Sequence, residues 1–465
     1  MSVVCSDGGE VQGGVVATAA TPLAAETAID VLTSGGTAFD AAIAAALVEC
    51  VELPMKCGLA GDVVALVQRR DGPLETLISI GPGASGHCVG ELEIVGPRSV
   101  GVPGAPGGYS ELASLGRRSL AELAAPAIEL AKKGPIWTPI AQQLTREAET
   151  VLRRYNGSIR YLPGDQSPEV GKRLPLPGLA SVIEDFVLDG PRLFSGALGD
   201  RLRDRLGENC LLGRDDLLKG TALWCEPACI ELADARLMAT PAPTHGPGLL
   251  EAFRLASAGS APRDAVRQAP PRFDSGTSVL TAADTEGNAV VLVHSNSFPN
   301  YGAGIVIEEL DLVLNNRPGR GFNLTVPKGH PNAPAFGRVP ETTLHAWALE
   351  HDGRRYFGAT PGGRNQLPWN LQTILVLLRS GSLNTAVTEP RWGYGAEVGG
   401  FDIEGDHPDA STSSERIVAP HSLRSAEQII TRSLSGGLWK AAADPRIGSV
   451  ASSGWAHCPI FKDHG

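Results

Sequence analysis

Gly276-Thr277-Ser278 stands directly before an apolar, β-prone run. A threonine in that place gains a chemical use if the peptide bond ahead of it is broken. Attack of the Thr277 hydroxyl on the Gly276 carbonyl, an N-to-O acyl shift, followed by hydrolysis, frees an α-amino group. Its ordinary pKa of about 7.7–8 suits a general base acting on the hydroxyl of the same residue. One residue then supplies both nucleophile and base. Glycine at 276 leaves the backbone free to take a geometry that a side chain would forbid.

The elements that must position Thr277 are legible nearby. Ser278 to Ala283 and Ala289 to Ser295 are β-prone runs joined by Asp284-Thr-Glu-Gly-Asn288, which reads as a hairpin loop. With that loop residue 283 faces 289, and counting outward Thr277 faces Ser295. Opposed residues have Cβ atoms about 4.5–5.5 Å apart, so two hydroxyls lie side by side, with Asn296 and Ser297 next as polar groups for a substrate. Further on, Gly362 and Gly363 follow a short strand, Tyr356 to Thr360, and precede a helix expected over Pro368 to Leu378. Their amides should point into a pocket at a strand-to-helix turn. His294 should face away from Ser295 and serve the core.

The 465 residues are 42% hydrophobic and 20% charged, the balance of a globular chain. Lys+Arg 40 against Asp+Glu 51 gives a net charge of −11, which repels nucleic acid and anionic membrane surfaces. Neither is expected as a partner. Eight cysteines without disulfide-scaffold spacing suggest reduced thiols and a cytoplasmic location. The first residues lack a secretory apolar segment, and the apolar stretch from Ala41 to Leu53 is too short for a membrane span and carries Glu49 and Glu52. Cys225 and Cys229 lack partners at zinc spacing, and no HExxH, GxSxG, P-loop or dinucleotide fingerprint occurs, so neither metal nor cofactor is expected.

Thr21-Pro22 has the chemistry of a helix start, with Ala25, Ala28, Ile29 and Leu32 at helical spacing, and a second helix should run from Ala38 to Val51. Asp62 to Gln68 and Leu77 to Ile80 read as antiparallel strands. Helices are expected over Leu120 to Lys133, Ile140 to Tyr155, Leu179 to Leu188 and Leu198 to Leu206, in an α-rich block from Ser110 to Leu255. Ser257 to Arg272 resembles an exposed linker.

A set of blocks resembles the gamma-glutamyltranspeptidase family in order. These are Gly14 to Ala25, Gly35 to Ala46, Cys57-Gly-Leu-Ala-Gly-Asp62, Ser99 to Tyr109, Thr277 to Val290, Leu314-Asn-Asn-Arg317, Thr360-Pro-Gly-Gly363 and Ala443-Asp-Pro-Arg446. The resemblance implies an N-terminal-nucleophile hydrolase of the α/β (α+β) class with four layers, αββα. It also implies one chain cut into a large subunit, 1–276, and a small one, 277–465. The two subunits would be each other's partners in one folded unit, with a small-molecule substrate, and copies of that unit could assemble into a homo-oligomer. By the same resemblance Thr277 is the nucleophile, Ser295 supports it, and Gly362 and Gly363 form the oxyanion hole. Asn316, Thr342 and Thr343 stand where the family touches substrate.

Departures from the family's pattern bear on substrate. Ser278 and Val279 replace its usual Thr and His. The acid that holds a glutamyl ammonium gives way to Arg317-Pro-Gly-Arg320, and the arginine that clamps the glutamyl carboxylate is absent from Ile78 to Ala84. Two guanidinium groups suit a carboxylate, so Arg317 and Arg320 are expected to bind a small carboxylate-bearing substrate other than ordinary glutathione. Alternatives are cleavage of a carbon–carbon bond beside an oxo-acid group in antibiotic biosynthesis, and an unprocessed, non-catalytic relative.

Overall fold

The computed structural model describes residues 4–6, 9–88, 91–271, 276–395 and 399–456. Ser275 and the last residue of the expected linker lie outside them.

Local chemistry sets the first two helices. Thr21 caps Pro22–Thr33 by accepting from the Ala24 amide at 3.3 Å, with Pro22 in the first turn. Thr37 and Asp40 form a reciprocal capping box at the start of Ala38–Glu52, and the Thr37 amide donates to Asp40 Oδ2 at 2.8 Å. This second helix is buried all round from Ala38 to Val51, and its alanines let neighbouring elements approach closely.

Two antiparallel sheets make the middle of the molecule. The eight-stranded sheet runs in the spatial order Val4–Ser6, Val450–Gly454, Val15–Ala19, Gly276–Ala283, Ala289–Ser297, Asp62–Gln68, Leu74–Ser79, Ala222–Cys225. The seven-stranded sheet runs Val11–Gly13, Trp439–Ala443, Gln428–Ser433, Arg354–Ala359, Trp347–His351, Ala235–Ala239, Ala228–Glu231. Side-chain alternation then divides the apolar residues into layers. Leu280, Ala282, Val290 and Leu292 pack outward beneath the early helices. Val279, Val291 and Val293 face Ala348, Phe357 and Ile430 between the sheets. Trp347, Leu349, Ile429 and Ala442 pack outward on the helices Gly246–Ser257 and Gln366–Ser380. The result is the four-layer αββα arrangement, of mixed α+β class.

Both sheets contain strands from before and after residue 276, so a break there would leave each sheet built from both pieces. The structure differs from expectation in three places. A further helix, Ala105–Ser114, begins ahead of the α-rich block, and the block itself contains the short strands Ala222–Cys225, Ala228–Glu231 and Ala235–Ala239. The expected linker holds the helix Pro262–Gln268, because Ala265 and Val266 are apolar enough to be buried. The helix expected to begin at Pro368 begins at Gln366. Among the described residues no helix is long and apolar enough to cross a membrane.

Candidate active site

Asp284 fixes the hairpin. Its Oδ1 accepts from the amides of Glu286 and Asn288 at 2.9 and 3.1 Å, and its Oδ2 accepts from the amide of Ala38 at 2.9 Å. The loop is thereby tied to the N-terminus of the central helix. From there the register follows the sequence count, with Ala283 facing Ala289 down to Ser278 facing His294. It then shifts, and Ser297 faces Gly276. One extra residue on the second strand makes a bulge beside Thr277, and Ser297 takes a left-handed φ of +73°. Thr277 and Ser295 are therefore not the simple cross-strand pair expected.

The bulge aims Ser295. Its hydroxyl donates to the carbonyl oxygen of Gly276, the bond ahead of Thr277. Its oxygen in turn accepts from the Ser297 amide at 2.8 Å and from Arg317 Nη2 at 3.3 Å, which uses its full hydrogen-bonding capacity. Glycine at 276 is required by close approach, since an added Cβ would lie 2.7 Å from the Ser297 carbonyl oxygen. Thr277 is 1% exposed and its Oγ accepts from Gln366 Nε2 at 3.3 Å, the same amide donating to Thr343 Oγ at 3.4 Å.

Arg317 lies behind Ser295 instead of facing open space. Its Nε donates to Asp62 Oδ2 at 2.7 Å, and both groups are fully buried. Burial pushes the Asp62 carboxyl upward in pKa, opposed by the charge and hydrogen bond of Arg317. Asn315 holds the turn, accepting from the Arg317 amide at 2.9 Å and donating to the Ala60 carbonyl at 2.7 Å. The expectation that this guanidinium greets a substrate carboxylate is replaced by an ion pair that buttresses Ser295.

A cavity of about 490 Å³ opens over Gly276 and Thr277 and is lined further by Lys56, Gly362, Asn365 and Trp369. Gly362 has φ +133° and Gly363 φ +60°, and a Cβ on Gly362 would run into the Trp369 ring, so only glycine fits this turn. The remaining expected site residues tie loops together around the cavity. Asn296 pairs its amide with the Lys56 carbonyl at 2.7 Å and its Nδ2 with the Pro54 carbonyl at 3.1 Å. Asn316 Nδ2 donates to the carbonyls of Ile94 and Phe298, each at 2.7 Å. Arg320 Nε donates to the Phe298 carbonyl at 2.9 Å, with its guanidinium 5.2 Å from the centre of the Phe298 ring. Thr342 Oγ accepts from the Leu344 amide at 3.1 Å. Gln366 and Lys56 were not foreseen. Gln366 is signalled only as a polar residue in the first turn after Gly362-Gly363, and Lys56 as a lone cation before Cys57-Gly.

The opposite face of the hairpin carries a second polar group. Glu49 Oε2 accepts from Ser278 Oγ at 2.6 Å and lies 2.8 Å from His294 Nε2, while His294 Nδ1 meets Tyr109 Oη at 2.7 Å. Burial alone would lower the His294 pKa, but hydrogen bonds and charge from Cys50 and Glu49 overcome it and raise it to about 9. Cys50 is drawn down to about 6, first by its hydrogen bond with Cys57, against burial. Ligand atoms of Cys50, Cys57 and His294 lie within 4.8 Å of one another, a spacing at which a metal could sit. Both His294 nitrogens already have protein partners, so a metal there would displace Tyr109 or Glu49.

Comparison with known proteins agrees with this architecture. The sequence pattern of the gamma-glutamyltranspeptidase family matches residues 24–261 and 256–454. The acylase ACY 1 proenzyme of Pseudomonas sp. (strain SE83) is 26% identical, over 84% of this chain and 84% of its own. The oxamate amidohydrolase proenzyme of Klebsiella pneumoniae is 25% identical, over 92% of this chain and 96% of its own. A cephalosporin acylase from Bacillus halodurans shares the fold with a TM-score of 0.85 at 23% identity, covering 97% of each chain.

Proposed function

The chain belongs to the gamma-glutamyltranspeptidase family of proenzyme hydrolases and acyltransferases, and from that premise we propose that Thr277 becomes its nucleophile by self-cleavage and then hydrolyses or transfers a carboxylate-bearing acyl group held as an amide. The observation that carries the reading is the hydrogen bond from Ser295 to the Gly276 carbonyl oxygen, beside the Thr277 hydroxyl and at the floor of the cavity.

In the uncut chain that hydrogen bond draws electrons from the Gly276 carbonyl, so the Thr277 hydroxyl oxygen adds to its carbon. The developing oxyanion is held by Ser295, itself held by the Ser297 amide and Arg317. Breaking the carbon–nitrogen bond, with the hydroxyl proton passed to the nitrogen, gives an ester on Thr277 Oγ and a free amine. Water then releases the Gly276 carboxylate. In the mature form the Thr277 amine takes the proton from its own hydroxyl, the oxygen attacks the substrate carbonyl, and the amides at Gly362 and Gly363 receive the negative charge. The proton passes to the departing amine, and water or another amine resolves the acyl-enzyme.

The missing arginine in Ile78 to Ala84 speaks against an ordinary glutamyl group, and the substrate class is supported by the relatives, one an acylase and one whose name states an amide of a carboxylate-bearing acid. The carbon–carbon reading drew on guanidinium groups facing substrate. With Arg317 engaged by Asp62 it has no observation of its own. Intact-mass measurement of the purified protein tests the proposal. Chains of residues 1–276 and 277–465 are expected from the natural sequence and a single uncut chain from Thr277→Ala. A natural-sequence protein that remains uncut sinks the mechanism and leaves the non-catalytic reading.

A further inference from the structure

Lys56 is the one charged group in the cavity wall that makes no ion pair among the described residues. Its backbone is pinned. The Lys56 amide donates to the Leu53 carbonyl at 2.8 Å, and its carbonyl accepts from the Asn296 amide at 2.7 Å, one residue beyond Ser295. The residue is 9% exposed and lines the same cavity as Thr277 and Gly362. The other charges on that wall cancel in pairs. Arg424 meets Glu147 at 2.6 Å, and Arg416 is paired with Asp402. Among the described residues the Lys56 ammonium makes neither a hydrogen bond nor an ion pair, which leaves the wall with one net positive charge.

A buried ammonium without partners is costly, because the water it gives up is not replaced. Burial accordingly lowers the Lys56 pKa, with Cys57 and Glu49 pulling the other way. A negatively charged ligand group in the cavity would supply the missing partner. Arg317 and Arg320, which the sequence offers for that task, are already engaged, by Asp62 and by the Phe298 carbonyl. We infer that Lys56 is the anion anchor of the acyl site, taking the free carboxylate of the acyl group whose scissile carbonyl faces Thr277. The inference rests on the hydrolase reading above for the identity of the ligand, while the anchor itself is a binding property.

Two anilide probes isolate the charge: glutaryl-p-nitroanilide, and valeryl-p-nitroanilide, which carries a methyl where the first has its carboxylate. Intact mass first establishes that Lys56→Met and Lys56→Arg are cleaved as the natural sequence is. The expected result is that Lys56→Met lowers the glutaryl-to-valeryl ratio of kcat/KM by at least about tenfold, through KM, and that Lys56→Arg restores most of it. Calorimetry with glutarate should register the same loss of affinity, at least about tenfold, in Lys56→Met. An unchanged ratio together with unchanged glutarate affinity overturns the inference, as does a natural-sequence protein that binds no glutarate. Glutarate binding that depends on Lys56 in a protein that hydrolyses neither anilide keeps the anchor and removes the proposed reaction.

Discussion

The two faces of the hairpin Gly276–Ser297 are equally buried and differ in how their polar atoms are satisfied. On the face toward the helices, Ser278, His294, Glu49 and Tyr109 partner one another. Around the bulge and the Arg317 ion pair, Asn296 Oδ1, Ser297 Oγ, Gln366 Oε1, Arg317 Nη1 and Asp62 Oδ1 are buried without a hydrogen-bond partner among the described residues. Leaving such an atom unpaired costs about 1–3 kcal/mol. The helix-side network therefore fixes the hairpin's register, while the other side places Gly276 and Thr277 in the cavity wall.

If that division is right, changes on the cavity side should damage chemistry first. The largest effect is expected for Thr277→Ala, which removes the attacking oxygen. Turnover of an amide substrate should fall by at least about a thousandfold, whereas Thr277→Ser should keep both cleavage and turnover. Ser295→Ala comes next. It deletes the donor on the Gly276 carbonyl, and self-cleavage followed by gel densitometry should slow by about 10²–10³-fold, the effect of losing one oxyanion donor. Cleavage at the natural rate in Ser295→Ala would break the comparison on its chemical side.

Arg317→Met should show in folding as well. It leaves Asp62 buried without its partner, and in the uncut Thr277→Ala background urea unfolding should reveal a loss of about 3–5 kcal/mol. Adding Asp62→Leu should recover much of it, since the isolated carboxylate is then gone. A single variant as stable as its parent would mean that the ion pair does not support Ser295.

Much of this arrangement is readable from the chain alone where the causes are local. The hairpin loop is set by Asp284 and Asn288 within five residues, and the first helices by Thr21-Pro22 and by Thr37 with Asp40, all visible as short-range patterns. The bulge at Ser295 is not visible. It depends on Arg317 and on the Lys56 carbonyl, and Arg317 depends on Asp62, 255 residues away in sequence. Arg317 reads as an anion clamp when only its own segment is considered. The carboxylate that claims it sits at the end of Cys57 to Asp62, and nothing in either stretch states that they meet.

The helix-side network offers the finest test, because its charge state is predicted by its partners. With His294 raised to about 9 and Cys50 lowered to about 6, the folded pair between these values is an imidazolium beside a thiolate. The unfolded chain in the same range holds one proton on a thiol and none on an ordinary histidine. Folded and unfolded forms bind equal numbers of protons, so this pair adds no slope to stability between pH 6.5 and 8.5. Cys50→Ser removes the thiolate, and with it the first of the groups that raise His294, and leaves Glu49 alone to hold the histidine above its ordinary value. The raised histidine then contributes fully below its unfolded pKa, and its contribution is lost as pH rises toward its folded one. Stability of Cys50→Ser in the uncut background should fall with pH relative to its parent, by up to about 1.4 kcal/mol per unit. Denaturation at pH 6.5, 7.5 and 8.5 measures the difference. Parallel pH profiles for the two proteins would mean that the pair is neutral, and that this face is held by uncharged hydrogen bonds alone.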